Sequence, residues 1–506
     1  MLTLDDLRPL TAHLIDIAHL HGAAAVLSWD QETHMPRGAA AARADALAAL
    51  QGMAHERFTS PRTDDLLGRW LDLETGALFD PDVDPSARAV LREVFRDYRR
   101  AKRLPTAFVA LLEKTCALAH EAWLEARSAR AFAPFLPHLT QIVTLKREEA
   151  SYLGYTDSPY DPLLDAFEPG MTAARLTPLL AEVKAGLSTL LDRVAGSSVT
   201  PIRLPAGPYD TNRQLQFGTV LLSAMGYSFD RGRLDLSTHP FTTGFHPTDV
   251  RVTTRVATDD VTSSLFTCLH EGGHALYDQG LNPAYFGTPL GEAVSLGLHE
   301  SQSRLWENCV GRSIEFWRHA YPLLRDAFPG PLDAISLDAF HAAINAVEPS
   351  LIRVEADELT YNFHIIMRFE LEQELIAGRL LPRDLPEAWS AAMRRTLGVT
   401  PSHDGEGVLQ DIHWAHGAFG YFPTYTLGNL YAAQFWRQAR LDIADLPTLI
   451  EGGRFEPLVG WLRDRIHRWG RTYSADELVV RVTGEGLTPD HFLQYLEEKY
   501  AAIYRW

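Results

Sequence analysis

The 506-residue chain holds only three cysteines, Cys116, Cys268 and Cys309. Thiols so few and so scattered cannot form a disulfide framework, which fits a reducing compartment. No stretch of about 18 uninterrupted apolar residues is present, so a membrane span is not expected. The first 21 residues carry Asp5, Asp6, Arg8, His13 and Asp16 among their apolar positions, which a signal-peptide apolar core does not tolerate. Together these absences lead to the expectation of a cytoplasmic protein. A run of Lys or Arg able to neutralise a row of phosphates is also missing, and 47 basic against 65 acidic residues leave a formal charge of −18. Nucleic acid and membrane are therefore not expected as partners. With 46% hydrophobic and 22% charged residues, the composition is that of a folded globular protein rather than a disordered one.

What is present is mostly helical periodicity. From Leu4 to about Leu191, apolar residues recur at spacings of three and four, the mark of amphipathic helices. Turn formers interrupt the pattern at Met35–Gly38, Phe79–Pro81 and Tyr152–Pro162. A longer break, Gly196–Asn212, carries Pro201, Pro205 and Pro208 and separates this front part from the rest. After a short helix around Gln214–Met225, the β-branched alternation of Val250–Val256 predicts a strand. Helical patterns return at about 261–279, 291–325, 350–377 and 428–443, with a loop-rich stretch from His403 to Thr426. A pattern of about 28 residues would make a helix roughly 42 Å long. The expected fold class is mainly α, with one small β-sheet just before the helix at 261–279. A strand edge in that position can carry an extended peptide.

That helix contains His270-Glu271-Gly272-Gly273-His274, preceded by the plausible cap residues Asp259 and Asp260. A spacing of four puts both imidazoles on one face, one turn apart, where they can share a tetrahedral zinc ion. Glu271, about 100° further round, is positioned to act on a water in the open coordination place. Two glycines in mid-helix cost about 1 kcal/mol each relative to alanine, so something is expected to approach that backbone closely. A third protein ligand is required. Gly280 stands where a further histidine six residues on would be, so the ligand must come from elsewhere, and Glu292 and Glu300 are both candidates. On one helix they would differ by about 80° and about 12 Å, so only one can face the metal. Spacing alone does not choose between them.

Further motifs do. His239-Pro240-Phe241, Asp249-Val250-Arg251-Val252-Thr253, the HExxH residues, His299-Glu300-Ser301-Gln302, Ile352-Arg353-Val354-Glu355-Ala356-Asp357 and Gly407–Trp414 (GVLQDIHW) follow in order. From Trp29 to about Gln434 the chain resembles the carboxypeptidase Taq family, the M32 metallocarboxypeptidases. The resemblance implies a helical fold of zincin type enclosing a long substrate groove. It implies a single catalytic unit over 1–506, with a helical front part (1–195) and a metal-site part (196–506) that holds a small sheet (231–258) and the C-terminal helices. It implies Glu300 as the third ligand beside His270 and His274, leaving Glu292 to support a ligand or the fold. One zinc per chain, with cobalt as a substitute, a homodimer, and release of C-terminal residues from peptides with broad specificity are further implications. Val256 departs from the aromatic residue usual there, which concerns a substrate subsite and no ligand.

The chemistry expected is metal-assisted amide hydrolysis with Glu271 as general base. The oxyanion that develops needs a further donor, for which Tyr421 and Tyr425 are candidates, with His413 nearby. A free C-terminal carboxylate calls for a guanidinium, and Arg353, within one of the family's motifs, is the candidate; Arg251 and Arg255 are weaker ones. His364, eleven residues after Arg353, would share its helix face, either touching a site residue from behind or buried as a structural histidine. His239 either fixes a turn or touches substrate, and Cys268 is read as a packing residue. Two alternatives stay open on the residues alone: a zinc oligopeptidase that cuts internally, and a non-catalytic helical protein with a structural metal.

Overall fold

A computed structural model describes residues 1–506. Helix makes up 65% of the chain and strand 4%, as the apolar periodicity requires. Seven helices concern the site and are numbered in chain order: α1 (Arg8–Thr33), α2 (Ala40–Phe58), α3 (Pro85–Arg103), α4 (Val261–Gly280), α5 (Leu296–Arg304), α6 (Tyr361–Ala377) and α7 (Pro423–Asp442). The main hydrophobic core runs from Ala119 to Tyr504, across the proline-rich break. A smaller cluster lies under the N-terminal helices, from Leu2 to Tyr98, and also takes in Leu290.

Two expected long helices are broken. The 291–325 pattern divides into α5, a π-helical turn at Leu305–Val310 and the helix Ile314–Ala327, whose start is capped by Ser313. The 350–377 pattern yields only α6, and Arg353 sits before it on a short 3₁₀ turn, Arg353–Glu355. The cause is local. Asp357 Oδ1 accepts the backbone N–H groups of Leu359 and Thr360 at 3.0 and 2.9 Å, and Oδ2 accepts that of Glu348. An aspartate that binds neighbouring amides in this way competes with the helix.

The sheet has three strands, β1 (Leu234–Leu236), β2 (Thr242–His246) and β3 (Asp249–Thr254), in the order β1-β3-β2. β1 runs parallel and β2 antiparallel to β3, with Thr242 opposite Val252. Val250 and Val252 of the central strand are fully buried, which accounts for the β-branched signal there. β2 is an edge strand. It packs between α1 and α4, so the sheet lies directly beside the candidate metal helix.

α1 and α2 form a hairpin facing β2, α4 and α5 across a cavity of about 620 Å³. Ile17, His21 and Ala54 line it on the hairpin side; His246, Asp278 and His299 line it on the other. α1 is long and apolar enough to cross a membrane by length and composition, yet it packs on α2 and β2 within this fold.

Candidate active site

Asp260 caps α4 by accepting the Thr262 N–H at 2.8 Å, satisfying one of the amides that a helix start leaves free. Ten residues on, the His270 and His274 rings stand with centroids 5.0 Å apart. The two glycines between them are explained by close packing. A Cβ on Gly273 would lie 2.4 Å from the Gln302 carbonyl oxygen and 2.6 Å from Ser303 Cα, and one on Gly272 would lie 2.7 Å from Leu222 Cδ2. α4 thus meets α5 backbone to backbone, the approach expected from the cost of glycine in mid-helix.

That approach delivers Glu300. Its Oε2 lies 3.3 Å from His274 Nε2 and 3.7 Å from His270 Nε2, and one donor atom from each of the three residues falls within 4.8 Å of the others. Ligands about 2.0–2.1 Å from a tetrahedral ion stand about 3.4 Å apart, so this donor set fits a divalent metal with one coordination place free. Glu292 is elsewhere, with its Oε2 3.1 Å from Arg471 Nη1, a guanidinium that Glu93 and Asp97 also hold. Of the two acids that spacing left open, only Glu300 reaches the histidines; Glu292 is structural.

The surroundings fix these three side chains and their charges. Arg304, four residues on, donates its Nε–H to Glu300 Oε1 at 2.7 Å. Burial alone would raise the Glu300 pKa, but Arg304 and then His270 outweigh it and hold the carboxylate well below its usual value. Glu307 Oε2 lies 2.8 Å from His270 Nδ1. On the other ligand, His274 Nδ1 is 2.6 Å from His299 Nδ1, and His299 Nε2 is 3.0 Å from Asp278 Oδ1. If Nε2 of each ligand faces the metal, Nδ1 must carry the proton. His270 then donates to Glu307, and His274 donates to His299, which donates to Asp278. Such partners set the tautomer and the orientation of the ring. Burial lowers the His274 pKa, with the neighbouring His299 adding to it, and the neutral form is the one that binds a metal.

Glu271 stays outside the ligand set. The Thr242 hydroxyl on β2 lies 2.8 Å from its Oε2 and 2.8 Å from its backbone oxygen. The carboxylate is therefore held at the strand edge beside the metal position rather than on the metal.

The aromatic candidates converge on the same region. Tyr421 and Tyr425 have ring centroids 5.4 Å apart, and His413 Nε2 is 3.2 Å from the Tyr425 hydroxyl. Burial, and then the Glu300 charge, push the Tyr421 hydroxyl up to about 12; burial and the neighbouring Tyr421 raise Tyr425 as well. Burial lowers His413 to about 3, leaving a neutral ring. Tyr425 is in the first turn of α7 and not in the loop. Gly428 lets α7 approach, since a Cβ there would lie 2.5 Å from Glu300 Cγ.

Arg353 stacks over the Tyr425 ring at 5.0 Å. It is buried, with Nε and Nη2 at 2.9 and 2.8 Å from Asp411 Oδ1 and Nη1 at 2.9 Å from the Tyr361 hydroxyl. Three of its five N–H groups are so engaged, and one on each terminal nitrogen remains. Because Arg353 is not on α6, it does not share a helix face with His364, contrary to the sequence expectation. His364 is a buried ring without hydrogen-bond partners, lowered to about 3 by burial. Arg368, however, shares Asp411 with Arg353, its Nε 2.8 Å from Oδ2. Arg251 pairs with Asp249 on its own strand and stacks over Trp29 at 4.2 Å. His239 is exposed, and its backbone carbonyl oxygen accepts the Ser237 hydroxyl at 2.7 Å. Cys268 is a buried packing residue, its thiol pushed up to about 12 by burial.

Thr242, Glu307, Asp278 and Arg304 were not singled out from the sequence. Arg304 alone left a local signal, an i,i+4 partner for Glu300; the others depend on how separate elements pack.

The family model for carboxypeptidase Taq (M32) metallopeptidases matches residues 9–500. The chain belongs to the M32 family. It is 46% identical over 499 residues to thermostable carboxypeptidase 1 of Thermus thermophilus, covering 97% of each chain. With carboxypeptidase 1 of Bacillus subtilis it shares 37% over 489 residues, 96% of each. The crystal structure of the M32 carboxypeptidase from Deinococcus radiodurans superposes with a TM-score of 0.94 at 40% identity, over 99% of both chains. As an M32 member, this chain is a metallocarboxypeptidase that acts on peptides and uses a divalent metal.

Proposed function

We propose that the metal is zinc, one ion per chain held by His270, His274 and Glu300, and that the enzyme removes C-terminal residues with broad specificity. The observation that carries this reading is the separation of roles on one helix turn: two imidazole nitrogens converge with Glu300, while Glu271 between them is tied to Thr242 instead. Two nitrogens and one carboxylate oxygen with a free place are a donor set typical of catalytic zinc. A purely structural site would close the fourth place and would have no use for Glu271.

A zinc ion in that set would polarise the scissile carbonyl and acidify a water beside it. Glu271 takes the proton of the attacking water and returns it to the nitrogen of the leaving amino acid. Tyr421 and Tyr425, which their raised pKa values keep protonated, donate to the oxygen on which charge develops. Neutral His413 orients the Tyr425 hydroxyl from 3.2 Å. Arg353 offers its two remaining N–H groups to the substrate carboxylate, held in place by Asp411 and Tyr361.

The test is metal analysis of the purified protein together with stepwise release of amino acids from one defined peptide. Zinc near one equivalent and sequential loss from the C-terminus are expected. Equal cleavage of the same peptide with an amidated C-terminus would assign the enzyme to internal cutting instead. On the resemblance and on three free, mostly buried thiols, we further propose a cytoplasmic homodimer.

A further inference from the structure

Away from the metal region, arginine is concentrated on one face of α3. Arg92, Arg96, Arg99, Arg100 and Arg103 recur at helical spacing and line a concave space of about 520 Å³. Its far wall is the end of the helix Leu136–Leu153 and parts of the segment 161–172, which leads into the helix Ala173–Gly196. In a chain of net charge −18, such a concentration of positive charge has to be accounted for.

Neutralisation within the fold covers only part of it. Arg92 pairs with Glu93 at 2.8 Å, Arg96 with Asp165 at 2.8 Å, and Arg100 with Glu149 at 3.4 Å. Arg103 has only the Leu153 carbonyl, and Arg99 has no hydrogen-bond or ionic partner. These two stand one turn apart without a carboxylate between them. Their crowding is visible in Arg103, whose pKa is lowered first by burial and then by the charge of Arg99. Five N–H groups on Arg99, those on Nε and Nη2 of Arg103 and the Nε–H of Arg100 have no protein acceptor, on three residues that line the concavity.

We propose that this concavity binds a small polyanion carrying phosphate groups, gripped by Arg99 and Arg103. Guanidinium forks match phosphate oxygens two at a time. The space falls within the range that takes small-molecule ligands, about 300–1,000 Å³, which is more than a single phosphate fills. The site is separate from catalysis: on the same helix, Glu93 and Asp97 turn to Arg471, whereas Arg99 and Arg103 touch nothing near the metal ligands.

The experiment is calorimetric titration of tripolyphosphate into the metal-loaded full chain, at an ionic strength of about 0.15 M. It is run beside the Arg99→Ala/Arg103→Ala double variant and beside Arg99→Glu, which changes only an exposed, unpaired side chain. Any binding at the metal is common to all three proteins. Saturable binding at one site in the wild type is expected, at least tenfold weaker in both variants, with peptidase activity unchanged as the sign that they are folded. Equal affinity in wild type and variants, or no saturable binding in the wild type, would overturn the proposal and leave the arginines a solvated face. A tricarboxylate that binds as tightly as tripolyphosphate would overturn the assignment to phosphate.

Discussion

Arg353 places two nitrogens on one oxygen of Asp411, at 2.9 and 2.8 Å, while Arg368 holds the other oxygen. The carboxylate therefore anchors Arg353 without using all of it. Replacing Arg353 by methionine is expected to raise KM steeply for free-acid peptides and to abolish their advantage over amidated ones, with a stability cost of about 3 kcal/mol, the low end for a broken buried pair because Arg368 remains. Kinetics on a matched pair of peptides and a melting curve check both parts. Unaltered discrimination between acid and amide would show that Asp411 is the residue's whole purpose.

In the proposed mechanism Glu271 carries the proton but does not hold the metal. Glu271→Gln should keep its metal, with turnover down about 10²- to 10⁴-fold. Metal analysis and turnover on the same sample separate the two effects. Loss of metal along with activity would contradict the assigned role.

His299 contacts the proposed ligand His274, and Asp278 contacts His299. His299→Ala and Asp278→Asn are each expected to weaken metal binding about 10- to 100-fold. Competition with a chelator of known affinity measures this without reference to activity. Wild-type affinity in both variants would mean that the chain from Asp278 to His274 does nothing for the metal.

Glu372 gives a pH dependence. It is fully buried, accepts the Tyr160 hydroxyl at 2.6 Å, the Trp414 indole N–H at 2.7 Å and the Gly420 amide at 3.0 Å, and burial raises its pKa to about 7. The folded state thus holds this proton more tightly than the unfolded state, where the group titrates near its model value of 4.5. Below that pH both states are protonated and nothing is lost. As pH rises from 4.5 to 7 the unfolded state ionises first, and folded stability falls by on the order of 3 kcal/mol. Glu372→Gln removes that share, so the variant should gain on the wild type between pH 5 and pH 8 in melting experiments. A difference that stays constant over that range would rule this out.

How much was legible in the sequence follows from how local each signal is. His270, Glu271 and His274 share one helix turn, so their mutual placement needs only the helical period. Glu300 and Glu292 could not be separated in that way, because the choice rests on the contact between α4 and α5 at Gly273 and Gln302; family motifs, not periodicity, selected Glu300. Arg353 was found by its motif, yet its partner Asp411, 58 residues away, left no periodic trace. The 28-residue helical pattern is longer than the helix that forms because the apolar period continues through a segment that Asp357 diverts by binding backbone amides. The strand at 250–256 was visible because β3, central in its sheet, is buried on its apolar face.

Gly428 works as a spacer of zero thickness. It stands one helical turn after Tyr425 and rests on the Cβ and Cγ of Glu300, so the distance from the start of α7 to Glu300 is gauged by the lack of a single methyl group. A relative with alanine at this position would keep the family's motifs and still have α7, with Tyr425 in its first turn, set back from Glu300. A list of diagnostic residues would not register that change.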